Sequence, residues 1–304
     1  MSRSLVIGSR GSKLALWQAE QARERLLLLN PQIDIRIEII KTTGDVKSDP
    51  LSVIGGKGVF TKELEDALLD GRIDLAVHSL KDLPTILPDG LTISAICERE
   101  DARDALVLRS DLPIENSSLL NLPDSAVVGT SSQRRLAQLK SLRRDVVVKD
   151  LRGNVDTRIR KLDEGQYDAV ILASAGLVRL SLQNRISARI ASSEMLPAVG
   201  QGAIAIETRS DNKLALEATS KLDHRETRMA CLAERAFLRG LGGGCQLPIA
   251  AHATIDGQLI NLDGLVAKPD GSEIWRDRLS GPVNQAEEIG SALATKLIER
   301  GATL

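Results

Sequence analysis

The chain has 304 residues, and its 40 Lys and Arg nearly balance 41 Asp and Glu. That length calls for two or three domains rather than one core. The near-zero net charge leaves no global attraction to nucleic acid or a membrane surface, so any anion binding must come from local clustering. Aromatics make up only 2%. The cores are therefore aliphatic, and a surface that stacks bases is disfavoured. The three cysteines, Cys97, Cys231 and Cys245, have neither disulfide-framework nor zinc spacing, which points to a reducing compartment and a cytoplasmic protein. The N-terminus turns polar after one short apolar run, unlike a signal peptide, and no apolar stretch approaches a membrane span.

In chain order, residues 5–7 read as a buried strand, followed by a Gly/Ser turn and a helix over 13–29 that Asn30-Pro31 closes. Apolar and polar residues alternate over 33–40, a strand signal, so the chain opens strand–helix–strand as an α/β sheet does. Residues 41–58 carry Gly44, Pro50, Gly55, Gly56 and Gly58 and read as a long loop of the kind that forms lids. A helix over 61–69 and strands at 75–77, 91–96 and 105–108 follow, with the charged run 98–103 as a crossing point between domains. A second strand–helix alternation comes next: strand 127–129, helix 133–142, strand 146–149, a helix ending near 165, strand 169–173. Residue 203 opens another strand, and helices cover 213–222 and 226–241. Strands at 249–254, 259–266 and 274–279 with a closing helix at 286–300 make a small antiparallel α+β domain. The domain expectation is 1–100 plus 200–220, 104–196, and 224–304.

Two segments repeat one physical idea. Gly129-Thr130-Ser131-Ser132-Gln133-Arg134-Arg135 puts hydroxyls and backbone N–H groups at a helix start with two arginines in the first turn. A helix N-terminus favours anions, and arginines there oppose the dipole, so their placement makes sense if an anion sits between them. An ordinary capped, solvated helix is the plain alternative. Leu151-Arg152-Gly153-Asn154 with Arg158 repeats the arrangement, and Arg10 and Arg179 also follow strand ends. Ligands of open α/β sheets bind beyond the strands' carboxyl ends. Six arginines are thus candidates for one cleft, and arginine grips carboxylates with two parallel bonds. Lys81-Asp82 follows another strand. Asp82 reads as a turn-capping residue or as a buried acid that moves protons or stabilises a cation. Gly242-Gly243-Gly244-Cys245 can present a cysteine on an open loop as a nucleophile or attachment point, or simply place a small residue in a tight turn. Cys97 and Cys231 read as core residues. Gly55-Gly56-Lys57-Gly58 lacks phosphate-loop spacing, and His78, His224 and His252 have no metal-ligand spacing.

Taken together, these segments resemble the porphobilinogen deaminase (hydroxymethylbilane synthase) family. The stretches that carry the resemblance run in order. They are Arg10-Gly11-Ser12-Lys13-Leu14-Ala15-Leu16-Trp17-Gln18, Gly55-Gly56-Lys57-Gly58-Val59-Phe60, His78-Ser79-Leu80-Lys81-Asp82-Leu83-Pro84, the two arginine segments above, Leu196-Pro197-Ala198-Val199-Gly200-Gln201-Gly202, and Gly242-Gly243-Gly244-Cys245-Gln246. The resemblance implies an α/β fold of three domains, two of them like type II periplasmic binding proteins flanking a cleft, plus a smaller α+β domain. It implies a transferase that condenses four porphobilinogens head to tail with loss of ammonia, on a dipyrromethane cofactor joined to Cys245 by a thioether. It makes Asp82 the catalytic acid. Lys81, Ser79, Thr130, Ser132, Arg134, Arg135 and Arg158 become cofactor contacts, and Arg10, Arg152, Arg179, Lys57 and Phe60 substrate contacts. No metal, nucleic acid or membrane is expected, and the protein is expected to be a monomer. A reversible binding protein of the periplasmic type is the rival, but it has no use for a cysteine on a glycine loop.

Overall fold

The computed structural model describes residues 3–42, 60–112, 118–243 and 247–302. The chain forms two compact units, residues 1–99 with 203–228 and residues 100–202 with 229–304. It passes from one to the other inside the charged run 98–103.

The first unit is built on a five-stranded sheet. Its strands are β1 (Arg3–Ser9), β2 (Ile33–Ile39), β3 (Leu75–Ser79), β4 (Leu91–Ile96) and β10 (Ile204–Arg209), in the order β2-β1-β3-β10-β4. β1 runs parallel to β2 and β3, whereas β10 is antiparallel to β3 and β4. Helix α1 (Lys13–Leu29) starts where Ser12 Oγ accepts the N–H of Ala15, and stops at Asn30, whose N–H goes to Leu26 O ahead of Pro31. Its buried Ala19, Ala22 and Leu26 pack with Leu5, Ile7, Ile33, Ile35, Leu75 and Cys97. Helix α2 (Lys62–Leu69) covers the other face through Leu64, Ala67 and Leu68 against Val6, Ile73 and Ala76.

The second unit holds two sheets. The larger comprises β5 (Asp104–Leu108), β6 (Val127–Gly129), β7 (Val147–Lys149), β8 (Ala169–Ala173) and β9 (Ala188–Arg189), in the order β7-β6-β8-β5-β9. β6, β7 and β8 are parallel, and β5 runs against β8 with Asp104 opposite Ala173. Helices α3 (Gln133–Leu142), α4 (Val155–Asp163) and the short α5 (Ser174–Arg179) follow β6, β7 and β8 in turn. The central strands β5 and β8 are almost wholly buried, as strands covered on both faces must be. The smaller sheet is the antiparallel meander β11 (Ile249–Asp256), β12 (Leu259–Ala267) and β13 (Ile274–Pro282). It packs with the later part of α7 (Arg225–Gly240) and with α8 (Ala286–Glu299) around Phe237, Leu262 and Leu293. Helix α6 (Lys213–Ser220) belongs to the first unit. The fold class is therefore the expected one: two α/β sheets and a smaller α+β C-terminal part with its own sheet.

Candidate active site

In the first unit, parallel pairing of β1 and β3 brings their carboxyl ends to one sheet edge. Arg10 leaves the end of β1. Ser79 ends β3, and a 3-10 turn over Leu80–Asp82 carries Lys81 and Asp82. Ser79 is held by Gln18 of α1, a residue 2% exposed, whose Nε2 lies 3.0 Å from Ser79 Oγ. The Arg10 guanidinium sits 4.4 Å from the centre of the Phe60 ring, a cation–π contact between two residues singled out in the sequence. Asp82 departs from expectation, because it is exposed rather than buried. The burial of β3 ends with Leu80, which tucks into the core at 1% exposure, and the tight turn swings Asp82 outward.

In the second unit, the parallel strands β7, β6 and β8 deliver three segments to one edge. After β6, the Thr130 N–H bonds Lys149 O, and Thr130 Oγ1 accepts the Ser132 N–H. Ser132 Oγ caps α3 by accepting from Arg135 N at 3.4 Å. Ser131 joins the two helix starts, donating to Leu151 O at 2.6 Å and accepting from Leu151 N at 3.1 Å. After β7, Arg152 Nε pairs with Asp150 at 2.6 Å, and Arg158 Nε donates to Gly153 O at 2.7 Å. Gly153 has φ +108°, and a Cβ there would lie 2.8 Å from Thr157, so glycine is required at this turn. Burial tends to raise the Asp150 carboxyl, but Ser131, Arg152 and Arg158 outweigh it and hold it below the usual range. After β8, Arg179 is 8% exposed, and its Nη2 donates to Gly202 O at 2.6 Å.

Arg134 and Arg135 are only 5% and 6% exposed. The anion that the dipole argument asks for is, in part, the protein's own. Asp104, fully buried, accepts Arg134 Nη1 at 2.7 Å and Arg135 Nη2 at 2.8 Å. Burial would raise its carboxyl, but the two guanidiniums outweigh burial and hold it far below the ordinary range. Asp104 has no signal in the sequence. It opens a strand, and only the antiparallel register of β5 on β8 carries that opening residue to the edge where β8 ends. A second group without a sequence signal lies in the first unit, where His78 Nε2 approaches Glu207 at 3.0 Å with both side chains buried and Glu65 close by.

Cys97 and Cys231 are buried, at 5% and 0% exposure. Cys245 and Lys57 lie outside the described residues. Gly242 and Gly243, ahead of Cys245, are positions where a side chain would be strained or crowded. Gly242 has φ +65°, and a Cβ on Gly243 would lie 2.4 Å from Ile249. Among the described residues no group of His, Cys, Asp or Glu could hold a metal ion, and no helix is long and apolar enough to cross a membrane.

Residues 5–217 match the family model described as porphobilinogen deaminase, dipyromethane cofactor binding domain, and residues 228–299 match porphobilinogen deaminase, C-terminal domain. The chain belongs to the porphobilinogen deaminase family. A protein named porphobilinogen deaminase from Chromobacterium violaceum is 51% identical over 299 residues, covering 98% of this chain and 95% of that one. Among solved structures, the second substrate binding domain of a putative amino acid ABC transporter from Streptococcus pneumoniae aligns at 15% identity and a TM-score of 0.46, over 78% of this chain and 94% of the other. The Bordetella pertussis BvgS periplasmic VFT2 domain aligns at 18% and 0.41, over 72% and 86%. These two structures are too distant to bear on the chemistry.

The second unit's residues fit a polycarboxylate cofactor such as the dipyrromethane of the porphobilinogen deaminases. Arg134 Nε and Ser174 Oγ, at the edge where α3 and α5 begin, are buried without a hydrogen-bond partner among the described residues. A buried guanidinium N–H left without an acceptor is costly, and a ligand carboxylate would supply the acceptor.

Proposed function

We propose that the protein is a hydroxymethylbilane synthase. It condenses four porphobilinogen molecules head to tail, releases ammonia and yields linear hydroxymethylbilane for tetrapyrrole biosynthesis. Family membership across residues 5–217 and 228–299 carries this reading. The arginines at the strand ends support it, because each porphobilinogen brings two carboxylates and the growing chain gains negative charge at every step. Bidentate arginines suit such a ligand better than point-charge lysines.

In this reading Arg134, Arg135 and Arg158, with Lys81, Ser79, Thr130 and Ser132, bind the carboxylate arms of a dipyrromethane attached to Cys245. When bound, that group supplies the pyrrole position from which the chain grows. Arg10, Arg152, Arg179, Lys57 and Phe60 bind the incoming substrate. Phe60 steadies the Arg10 guanidinium, and Gln18 fixes the Ser79 hydroxyl two residues before Lys81. Loss of ammonia from porphobilinogen leaves a cationic azafulvene. The Asp82 carboxylate stabilises that cation and takes up the pyrrole proton later released. Asp82 stands exposed on a turn, where an incoming substrate can reach its carboxylate. The three parts of the enzyme are 1–100 with 200–220, 104–196 and 224–304, and it works as a cytoplasmic monomer without metal.

Turnover of the Asp82→Ala variant tests the reading. General acid–base and electrostatic roles of this kind contribute about 100-fold or more, so kcat should fall at least that far while the far-UV spectrum stays that of the wild type. Near-normal kcat would remove Asp82 from the mechanism.

A further inference from the structure

Asp104 is a four-way acceptor. Its Oδ1 takes Arg135 Nε at 3.1 Å, Arg135 Nη2 at 2.8 Å and Gln201 Nε2 at 2.8 Å, and its Oδ2 takes Arg134 Nη1 at 2.7 Å. The same Arg134 Nη1 also donates to Leu196 O at 2.7 Å. Both hydrogens of Arg134 Nη1 are therefore spent inside the protein. The opposite edge of that guanidinium, Nε with Nη2, is the edge that grips a carboxylate through two parallel bonds. Arg134 Nε is buried with no acceptor among the described residues. Arg135 is held differently, with Nε and Nη2 on Asp104 and Nη1 on Ile171 O at 2.8 Å. One carboxylate thus fixes two adjacent guanidiniums in different rotations and cancels one of their two charges.

We infer that Asp104 is a positioning residue. It pins Arg134 by Nη1 so that the Nε–Nη2 edge faces one carboxylate arm of the dipyrromethane, and Gln201 braces it in turn. The inference rests on the reading that Arg134 binds that cofactor. Asp104 touches neither cofactor nor substrate in this account. Its contribution is to aim an arginine that would otherwise turn either edge toward the ligand.

Asparagine at position 104 is a sharp probe because the four acceptor contacts are divided between the two oxygens. Whichever way the amide sits, an NH2 group faces a guanidinium that can only donate. If Oδ1 stays with Arg135 and Gln201, Arg134 Nη1 meets a donor and is released. The full-length apoprotein, made in a host that cannot make porphobilinogen, is incubated with porphobilinogen, and the mass gain of the denatured chain is followed in time. A lost charge-assisted hydrogen bond corresponds to about 10- to 100-fold, so Asp104→Asn should acquire the cofactor more slowly by that factor. Leu106→Ala, a core truncation on the same strand that keeps Asp104 and both arginines in the sequence, controls for plain destabilisation. It should load at the wild-type rate when both are assayed well below their melting midpoints. Equal slowing of Asp104→Asn and Leu106→Ala overturns the positioning role. So does normal loading of Asp104→Asn beside impaired loading of Arg134→Leu. If Arg134→Leu itself loads normally, the cofactor-site reading falls and the positioning role falls with it. Should Asp104→Asn fail to fold, Gln201→Leu keeps the charge and removes the brace together with the Gln201 Nε2 bond to Ala102 O. A slowing of about threefold or more upholds the inference, and an unchanged rate overturns it.

Discussion

Gly202→Ala separates two costs that glycine avoids in this fold. Gly202 has φ +89°, and a Cβ built on it would lie 2.3 Å from Glu100 O, 3.3 Å from Glu100 C and 3.4 Å from Ala102 Cα. All three atoms are backbone, so no side chain can swing aside. The left-handed conformation alone costs alanine about 1 kcal/mol, and forcing a methyl group into a packed backbone costs about 1–3 kcal/mol more. Together they predict a loss of about 2–4 kcal/mol. In a chain of 304 residues that is a drop in Tm of about 3–6 °C, from an unfolding entropy of about 2.1 cal/mol/K per residue. Gly257 supplies the control. Its φ is +60°, but nothing lies within 4 Å of its would-be Cβ, so Gly257→Ala should lose only the backbone part, about 1 kcal/mol. Differential scanning calorimetry of the two variants gives the clash as a difference. Because Gly202 O also accepts Arg179 Nη2, the first variant should also raise KM for porphobilinogen, and the second should not. Equal Tm shifts in the two variants would show that the close approach at Glu100 is not there.

Two buried carboxylates respond to pH with opposite sign. Asp104 is held below its ordinary value of 3.8 because Arg134 and Arg135 outweigh the opposing effect of burial. Its contribution is therefore present above about pH 4 and is lost as pH falls below it. Urea midpoints from pH 6 down to pH 2.5 should fall less steeply in Asp104→Asn than in the wild type; parallel curves would contradict this. Glu65 is raised above its ordinary value of 4.5, by burial first and by Glu207 after it. A raised carboxyl stabilises the fold below its unfolded value and loses that contribution as pH rises. Glu65→Gln should therefore raise Tm at pH 8, with the gain fading toward pH 4, and a gain that grows in acid would contradict it. Asp82→Ala, at an exposed turn, should shift stability by no more than about 0.5 kcal/mol, so its loss of turnover is read directly as chemistry by chemical denaturation beside kinetics.

The regular elements were legible because their signals are local. Helix α1 begins at a serine cap and stops before a proline, and the alternation over 33–40 becomes β2 on the sheet edge, where Ile33 and Ile35 are buried and Asp34 and Arg36 are exposed. The arginines at strand ends were legible for the same reason, since each sits a few residues beyond its own strand. The counter-charge was not. Asp104 opens β5 and the arginines it bonds lie on α3, after β6, and only tertiary register joins them. The His78, Glu207 and Glu65 group was hidden likewise, because β10 meets β3 only after the chain returns at residue 203. Helix α5, six residues with Gly176 inside, is too short to show a period. The exposure of Asp82 depends on where the burial of β3 ends, which apolar pattern alone reads only to within a residue or two.

Attachment of the cofactor to Cys245 ties together the family, the glycine loop and the arginines, and one measurement tests it directly. The full-length protein is expressed in a host that makes porphobilinogen, and its denatured intact mass is recorded with peptide mapping. The account predicts added mass equal to two porphobilinogens less two ammonias on the peptide that holds Cys245, absent from Cys245→Ser. An unmodified chain that gains no mass when incubated with porphobilinogen, or the same adduct on Cys97 or Cys231, would contradict it.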